Sequence, residues 1–591
     1  MIKHLRGAFS CRKLAYENAS IRSVSTISFF LLAGLFGFPA YALDTPVLVP
    51  EKSGGERPPL PEQSLELPAP PAIVLPPVPP PISDPPLSQS VRIMVKQIKL
   101  SGNHVFSTKT LTSFITPYIG RQVSMNELHD LRRALTTHYI NQGYINSGAV
   151  IPDQQVNHGV IEIIIVEGRL SDIQIRGNRR LRDQYLHDRI AFANDEPLNM
   201  QQLQTRLQLL QQDRLVNRIR AKLVPGLHHG ESVLKVEIDE NRPYQFGLVI
   251  NNWRSPSVGE LRKEIWASHD NVSGYGDALR FQYGSTKGLD DMTVNYSIPV
   301  TARDARLVLS LSRSKSKIIE APFDDDIDIT NQLKSDGIQF WYPFQRTINS
   351  YLRGLLYLER RRSESLLFDE PFPNSPARNS VTVFRLAMAW LKRRENHVLS
   401  AFNRLSFGLN AFGATVHQEN EQLPDGKFIT WFGQFQWIHW LPNSPLQVVF
   451  RSDFQLSNNP LLPLEKFGIG GATSIRGYRE NQLVRDNGWV SSLETRIPIG
   501  NGTWFKGEKL QWAAFYDVGW GRDVPFANDL ELVKTTATIK TISSLGMGVR
   551  WHPVPSVHSQ LYWAHTLRKV NDGVGGAWQD DGFHFSFELI F

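Results

Sequence analysis

The chain has 591 residues, too many for one ordinary domain and enough for two or more. Its formal net charge is +7 and its single cysteine is Cys11. A removable leader, argued next, carries the cysteine and +4 of that charge, leaving +3 and no thiol. This excludes a disulfide framework, a cysteine metal site and a cysteine nucleophile, and makes the high pI weak evidence for a nucleic-acid partner.

The leader is read from Lys3, Arg6, Arg12, Lys13 and Arg22, an apolar run over 27–38, and the small-x-small triplet "AYA" at 40–42. Residues 1–42 therefore have the form of a secretory signal peptide. A membrane anchor is the weaker alternative, because the run falls short of the ~20 residues a spanning helix needs. No later segment supplies that many apolar residues, so the mature chain is either exported and soluble or crosses a membrane as a β-barrel.

Residues 43–90 are dominated by proline, as in "RPPLPEQSLELPAPPAIVLPPVPPPISDPPL" at 57–87. Proline fixes φ and removes a donor, which predicts an extended tether reaching ~90 Å at ~3.1 Å per residue. A proline-rich docking site for a partner is the alternative. Prolines at 46 and 50 and glycines at 54 and 55 argue against a long helix before the tether.

A repeat follows. "IKLSGNH" at 98–104 matches "IQIRGNR" at 173–179, and "GVIEIIIVEG" at 159–168 resembles "SVLKVEIDEN" at 232–241. Between each pair lies a helical period: Leu128, Leu131, Leu135 and Tyr139, then Leu203, Leu207 and Leu210. Two α+β modules are predicted, over 91–168 and 169–241.

From 242 to 591 the period becomes two. Leu279, Phe281 and Tyr283 alternate with Arg280 and Gln282; Met292, Val294, Tyr296 and Ile298 with Thr293, Asn295 and Ser297. Val448, Phe450, Phe454 and Leu456 alternate with Arg451, Asp453 and Gln455, and Leu545, Met547, Val549 and Trp551 with Gly546, Gly548, Arg550 and His552. A soluble sandwich with one wet face shares this pattern. Two features favour a transmembrane barrel instead: charged residues fall on the Gly/Gln/Ser side, as a water-facing lumen requires, and the strands are rich in Trp, Tyr and Phe. At roughly 20 to 22 residues per strand and loop, this region supplies about sixteen antiparallel strands. The chain closes on Phe583, Phe585, Phe587, Leu589 and Phe591 along one face, against His584, Ser586 and Glu588. Lipid would solvate that stripe; water would not.

Signal peptide, proline-rich tether, tandem modules, barrel and terminal phenylalanine together resemble the two-partner secretion transporters, which belong to the superfamily of outer-membrane barrels carrying POTRA domains. The most specific signature is "FGIGGATSIRGYRE" at 467–480. It is similar to the tip of that family's long sixth extracellular loop, which folds back into the barrel. "FYDVGW" at 515–520 resembles the family's F-x-D-x-G strand motif. The resemblance implies that Arg476, with Gly477 and Tyr478, forms a lumen motif within a loop over about 460–490. It implies that Asp517, with Phe515 and Gly519, is its partner on the barrel wall, and that Phe587, Leu589 and Phe591 form a C-terminal barrel-assembly signal. Alternation agrees: if Tyr516 and Val518 face lipid, Phe515 and Asp517 face inward, where a carboxylate is tolerated. An arginine fork suits one carboxylate in a way lysine does not.

The implied function is an outer-membrane pore of a Gram-negative bacterium, with its modules in the periplasm. It would recognise a large exported partner (an adhesin, haemolysin or contact-dependent toxin with β-helical repeats) and pass it unfolded to the surface without nucleotide hydrolysis. Outer-membrane lipid and the barrel assembly machinery are the other implied partners. No nucleic acid, cofactor or metal is expected. An assembly factor that inserts other barrels shares the loop signature, and a passive porin leaves the modules unexplained. Catalytic signatures are weak. "GIGGATS" lacks the phosphate-binding G-x-x-x-x-G-K-[ST] pattern, and His228 and His229 form an isolated pair. Asp324 to Asp326 read as a solvated charge run, with calcium binding the alternative.

Overall fold

The computed structural model describes residues 92–191, 196–321, 327–371, 378–417, 423–499, 509–525, 540–570 and 575–591. The expected leader over 1–42, the tether over 43–90 and the acidic run Asp324 to Asp326 lie outside them.

The two modules repeat one topology. In the first, Gln97–Ser101 runs parallel to Val160–Val166, which pairs antiparallel with Gly148–Val150. In the second, Arg169–Arg176 runs parallel to Glu231–Glu240, which pairs antiparallel with Val216–Pro225. Each sheet is covered by two helices, Thr108–Ile115 and Met125–Asn141 in one, Asp183–Ile190 and Met200–Gln211 in the other. The periodic positions Leu128, Leu131, Leu135, Tyr139, Leu203, Leu207 and Leu210 are all buried beneath them. Local chemistry starts the longer helices. Ser124 and Glu127 form a reciprocal capping box, and the Asn199 side chain accepts from Gln201 and Gln202 N–H.

The repeated Gly-Asn pair has a physical cause. Gly102 and Gly177 take φ of 79° and 90°, and a Cβ on either would lie 2.3 Å from a carbonyl oxygen, of Ile165 or Ile238. Glycine alone fits there without strain. The next residue closes the turn in the same way each time: Asn103 Nδ2 donates to Phe106 O at 2.9 Å, and Asn178 Nδ2 to Leu181 O at 2.8 Å.

The second module seats directly on the barrel. Arg182 N–H donates to Gly274 O, and Asn271 Nδ2 to Arg180 O at 2.9 Å. Arg189 reaches Asp304 at 3.0 Å, and Arg346 and Arg306 hold the same carboxylate from the barrel side at 3.0 and 3.2 Å.

Among the described residues, sixteen antiparallel strands run from Tyr244–Asn251 to Phe583–Ile590 and close by pairing those two. Ile329–Arg346 and Ser350–Leu367 reach 18 residues each. That is far more than the ~9–11 a tilted strand needs to cross a bilayer, so their ends stand clear of it. Outward positions such as Leu279, Phe281, Leu309, Leu311, Met388, Leu545 and Met547 form an exposed apolar belt, which lipid would cover. Gln282, Asn295, Ser310, Arg385 and Asp453 are buried on the inner face. No helix among the described residues is long and apolar enough to cross a membrane.

The inner face is not polar throughout. Leu391, Phe402, Phe432 and Ile438 point inward and join one apolar cluster with Phe467, Ile469 and Ile475 of the long loop. Alternation assigns apolar residues to lipid, but a folded loop inside the barrel needs a dry seat of its own.

Candidate functional site

The loop connecting Gln447–Ser457 to Asn487–Pro498 turns back into the barrel. Its limbs pair as a short hairpin, Phe467–Ile469 with Leu483–Arg485. Serine and glycine then shape the tip: Gly470 N–H donates to Ser474 Oγ at 2.8 Å, and Gly471 N–H to Ile475 O at 3.0 Å. This fold presents Arg476 to the wall strands Asn487–Pro498 and Lys509–Arg522.

Arg476 is buried, 6% exposed, and Asp517 is completely so. The guanidinium grips the carboxylate with both tines, Nε to Oδ2 at 2.8 Å and Nη2 to Oδ1 at 2.9 Å, while Arg476 N–H adds a bond of 3.0 Å to Oδ2. Nη2 also donates to Ser492 Oγ at 3.0 Å, and Nη1 to Glu494. Its Cζ lies 3.3 Å from the centre of the Phe515 ring and 4.8 Å from that of Tyr562. A desolvated cation on an aromatic face adds attraction to the ion pair. The rings have room because the wall carries glycine behind them: a Cβ at Gly546 would meet Phe515 at 2.4 Å, and one at Gly548 would meet Tyr562 at 2.2 Å.

The neighbouring motif residues are fixed too. Gly477 has φ of 87° and donates its N–H to His584 Nε2 at 2.9 Å. The Tyr478 hydroxyl donates toward Ser543 O at 3.0 Å and Arg568 O at 2.6 Å. Gly519 lies under Ile469 and Ile475 of the loop. Thus Arg476, Gly477, Tyr478, Phe515, Asp517 and Gly519 meet at one place. Phe587, Leu589 and Phe591 do not join them. They lie on the last strand's outward face, where Phe591 ties the seam through its backbone, bonding Phe246 in both directions at 2.8 and 3.3 Å.

Sequence reasoning missed further anchors. Glu465, at the loop's root, meets Arg385 at 3.0 Å and Arg361 at 3.4 Å, and Glu359 pairs with Arg361 at 3.1 Å. Arg479 binds Asp580 and reaches Glu320 at 2.8 Å. Glu494 and Glu359 were detectable in principle, as carboxylates on strand positions that alternation turns inward. His228 and His229 lie in a hairpin turn of the second module, where His228 Nδ1 pairs with Glu231 at 3.0 Å.

A lumen loop bonded to the wall at its root and tip, inside a closed barrel preceded by two small modules, is the architecture of a membrane pore with a folded loop in its lumen. Residues 230–541, more than half of the chain, match the family described as haemolysin secretion/activation protein ShlB/FhaC/HecB, and residues 93–168 match the ShlB-type POTRA domain. The chain belongs to this haemolysin secretion/activation family of two-partner secretion transporters. It is an outer-membrane protein with periplasmic POTRA structure, and its function is to move a large secreted partner across that membrane. Among its relatives, the heme/hemopexin transporter protein HuxB of Haemophilus influenzae (strain 86-028NP) is 19% identical, over 78% of this chain and 81% of its own. The outer membrane transporter CdiB of Dickeya dadantii (strain 3937) is 23% identical, over 69% and 74%. The solved structure of CdiB from Escherichia coli superimposes with a TM-score of 0.65 at 19% identity, covering 86% of this chain and 93% of that one.

Proposed function

We propose that the chain binds its partner in the periplasm through the modules over 91–168 and 169–241 and passes it unfolded through the barrel over 242–591, using no nucleotide and catalysing no covalent step. A leader over 1–42 directs export, and the segment over 43–90 tethers the modules. Phe587, Leu589 and Phe591 are presented to the barrel assembly machinery before lipid covers them. The partner adds as an extended strand to a module sheet edge, and folding outside the cell drives its passage. An adhesin, haemolysin or contact-dependent toxin rich in β-helical repeats has the extended, repetitive form this route suits.

The observation that carries this reading is the Arg476–Asp517 contact inside the lumen. A loop held there obstructs the path of any chain, and a bond between two side chains is a reversible way to hold it. The test is reconstitution of the purified mature protein in liposomes of outer-membrane lipid, without nucleotide, with the unfolded N-terminal part of the partner added on the POTRA side. Protease-protected partner should accumulate, and deletion of 91–168 should abolish it while ion conductance persists. Accumulation only with ATP, or undiminished after the deletion, would overturn the proposal.

A further inference from the structure

Within the strand bounds five residue pairs close the barrel, from Ser586 opposite Asn251 to Ile590 opposite Gly247, and the Phe591–Phe246 backbone bonds continue them at the periplasmic end. The strands on either side have more, eight between Tyr244–Asn251 and Arg262–His269 and seven between Val557–Thr566 and Phe583–Ile590. At the extracellular end the Asn252 N–H donates to Phe585 O at 3.3 Å, and the Asn252 side chain reinforces the ladder there. Asn252 Nδ2 donates to Phe583 O at 2.8 Å, and its Oδ1 accepts from Phe585 N–H at 2.9 Å.

Gln579, in the loop before the last strand, stands behind this extension. Its Nε2 donates to Asn252 O at 2.5 Å and to Arg254 O at 2.7 Å, while its Oε1 accepts from Glu480 N–H at 2.8 Å. Both Asn252 and Gln579 are fully buried. The amide orientation follows from its partners, since carbonyls demand the NH₂ and an N–H demands the oxygen. One side chain therefore serves two elements, its nitrogen the end of the first strand and its oxygen the lumen loop four residues beyond Arg476. The last strand holds the same loop through His584 and Gly477.

We propose that Gln579 is a positioning residue that couples the lumen loop to the closing seam of the barrel. The loop cannot leave the wall without breaking the bond from Glu480, and losing that bond frees the amide that braces Asn252 at the seam's outer end. Withdrawal of the loop thereby loosens the shortest strand pairing of the wall. The inference concerns the resting protein alone and stands whether or not the partner enters as proposed above.

The test is hydrogen exchange on the full mature protein in detergent micelles, with no partner present, reading amides 247–252 and 586–590 for the seam and 470–482 for the loop. Arg476→Ala releases the loop; Asp517→Asn is the second releasing variant should the first fail to fold. Exchange at the seam should rise at least tenfold along with that at the loop. In Gln579→Glu, which keeps an oxygen for Glu480 N–H and loses both donors to the first strand, seam exchange should already be raised, and releasing the loop should add much less than in the parent, only what the His584–Gly477 bond contributes. A seam unchanged when the loop is released overturns the coupling. A seam that responds to loop release as fully in the Gln579→Glu background as in the parent overturns the assignment to Gln579.

Discussion

Asp517 receives three hydrogen bonds from one residue of the lumen loop: Nε, Nη2 and the backbone N–H of Arg476 all end on its two oxygens. Breaking a buried pair by removing one partner costs on the order of 3 kcal/mol or more, because the survivor is left charged and dry. Arg476→Ala and Asp517→Ala should each shift the seated loop toward release by roughly a hundredfold. Single-channel recording should show long open events rare in the parent, and secretion of the partner should fall sharply in both. The double variant should match the worse single one; additive losses would mean that the two residues act separately.

Arg476→Lys should not restore function. The guanidinium serves Asp517, Glu494 and Ser492 at once while its Cζ stands over the Phe515 ring. An ammonium has the charge but not the planar fork, and hydrates more strongly. Secretion close to that of Arg476→Ala is expected, with the folded barrel still resisting detergent at room temperature on gels.

Gly477→Ala probes the loop without touching a charge. The residue sits at φ of 87°, and its Cβ would come within 2.9 Å of Ala564 Cβ and 3.0 Å of Ala564 O. The strain is about 1–3 kcal/mol, and it falls on the peptide that hands its N–H to His584. Channel openings should increase while the thermal unfolding of the barrel changes little, since the strand ladder is intact.

The junction between the second module and the barrel should resist mild acid. Burial raises the pKa of Asp304, but Arg306, Arg346 and Arg189 outweigh it and hold the carboxyl below its ordinary value. A depressed pKa contributes stability that is present above the unfolded-state value, ~3.9, and is lost as pH falls through the lower folded one. Spin labels on the second module and on a periplasmic turn should keep their distance distribution down to pH ~5 and broaden only below ~4. Asp304→Ala, which leaves three guanidiniums facing one another, should broaden it already at pH 7.

Much of this architecture is written locally. Period-two alternation reveals the wall, and the paired Gly-Asn turns announce the repeat because each answers to one backbone carbonyl. Asp517 is legible because its neighbours Tyr516 and Val518 need lipid. What stays hidden depends on closure. In the stretch Leu386 to Leu391 both faces are apolar, so only Arg385 just before it marks the side of Ala387, Ala389 and Leu391 as inward, and nothing local says that they meet a loop there. Glu465 meets Arg361 from 104 positions away, a proximity set only by how the strands stagger around the cylinder. Gln579 is one polar residue among several in its loop until the first and last strands meet beside it.

The apolar contact between loop and wall, in which Phe402 and Phe432 of the wall meet Phe467, Ile469 and Ile475 of the loop, responds to its surroundings as an oily joint does. Salt screens exposed charges, but kosmotropic salts such as sulfate strengthen the burial of apolar surface, so adding them leaves the loop seated. Chilling does the reverse, because hydrophobic attraction fades with falling temperature. On cooling, the seated loop therefore leans more on its buried ion pair with Asp517 than on this apolar contact.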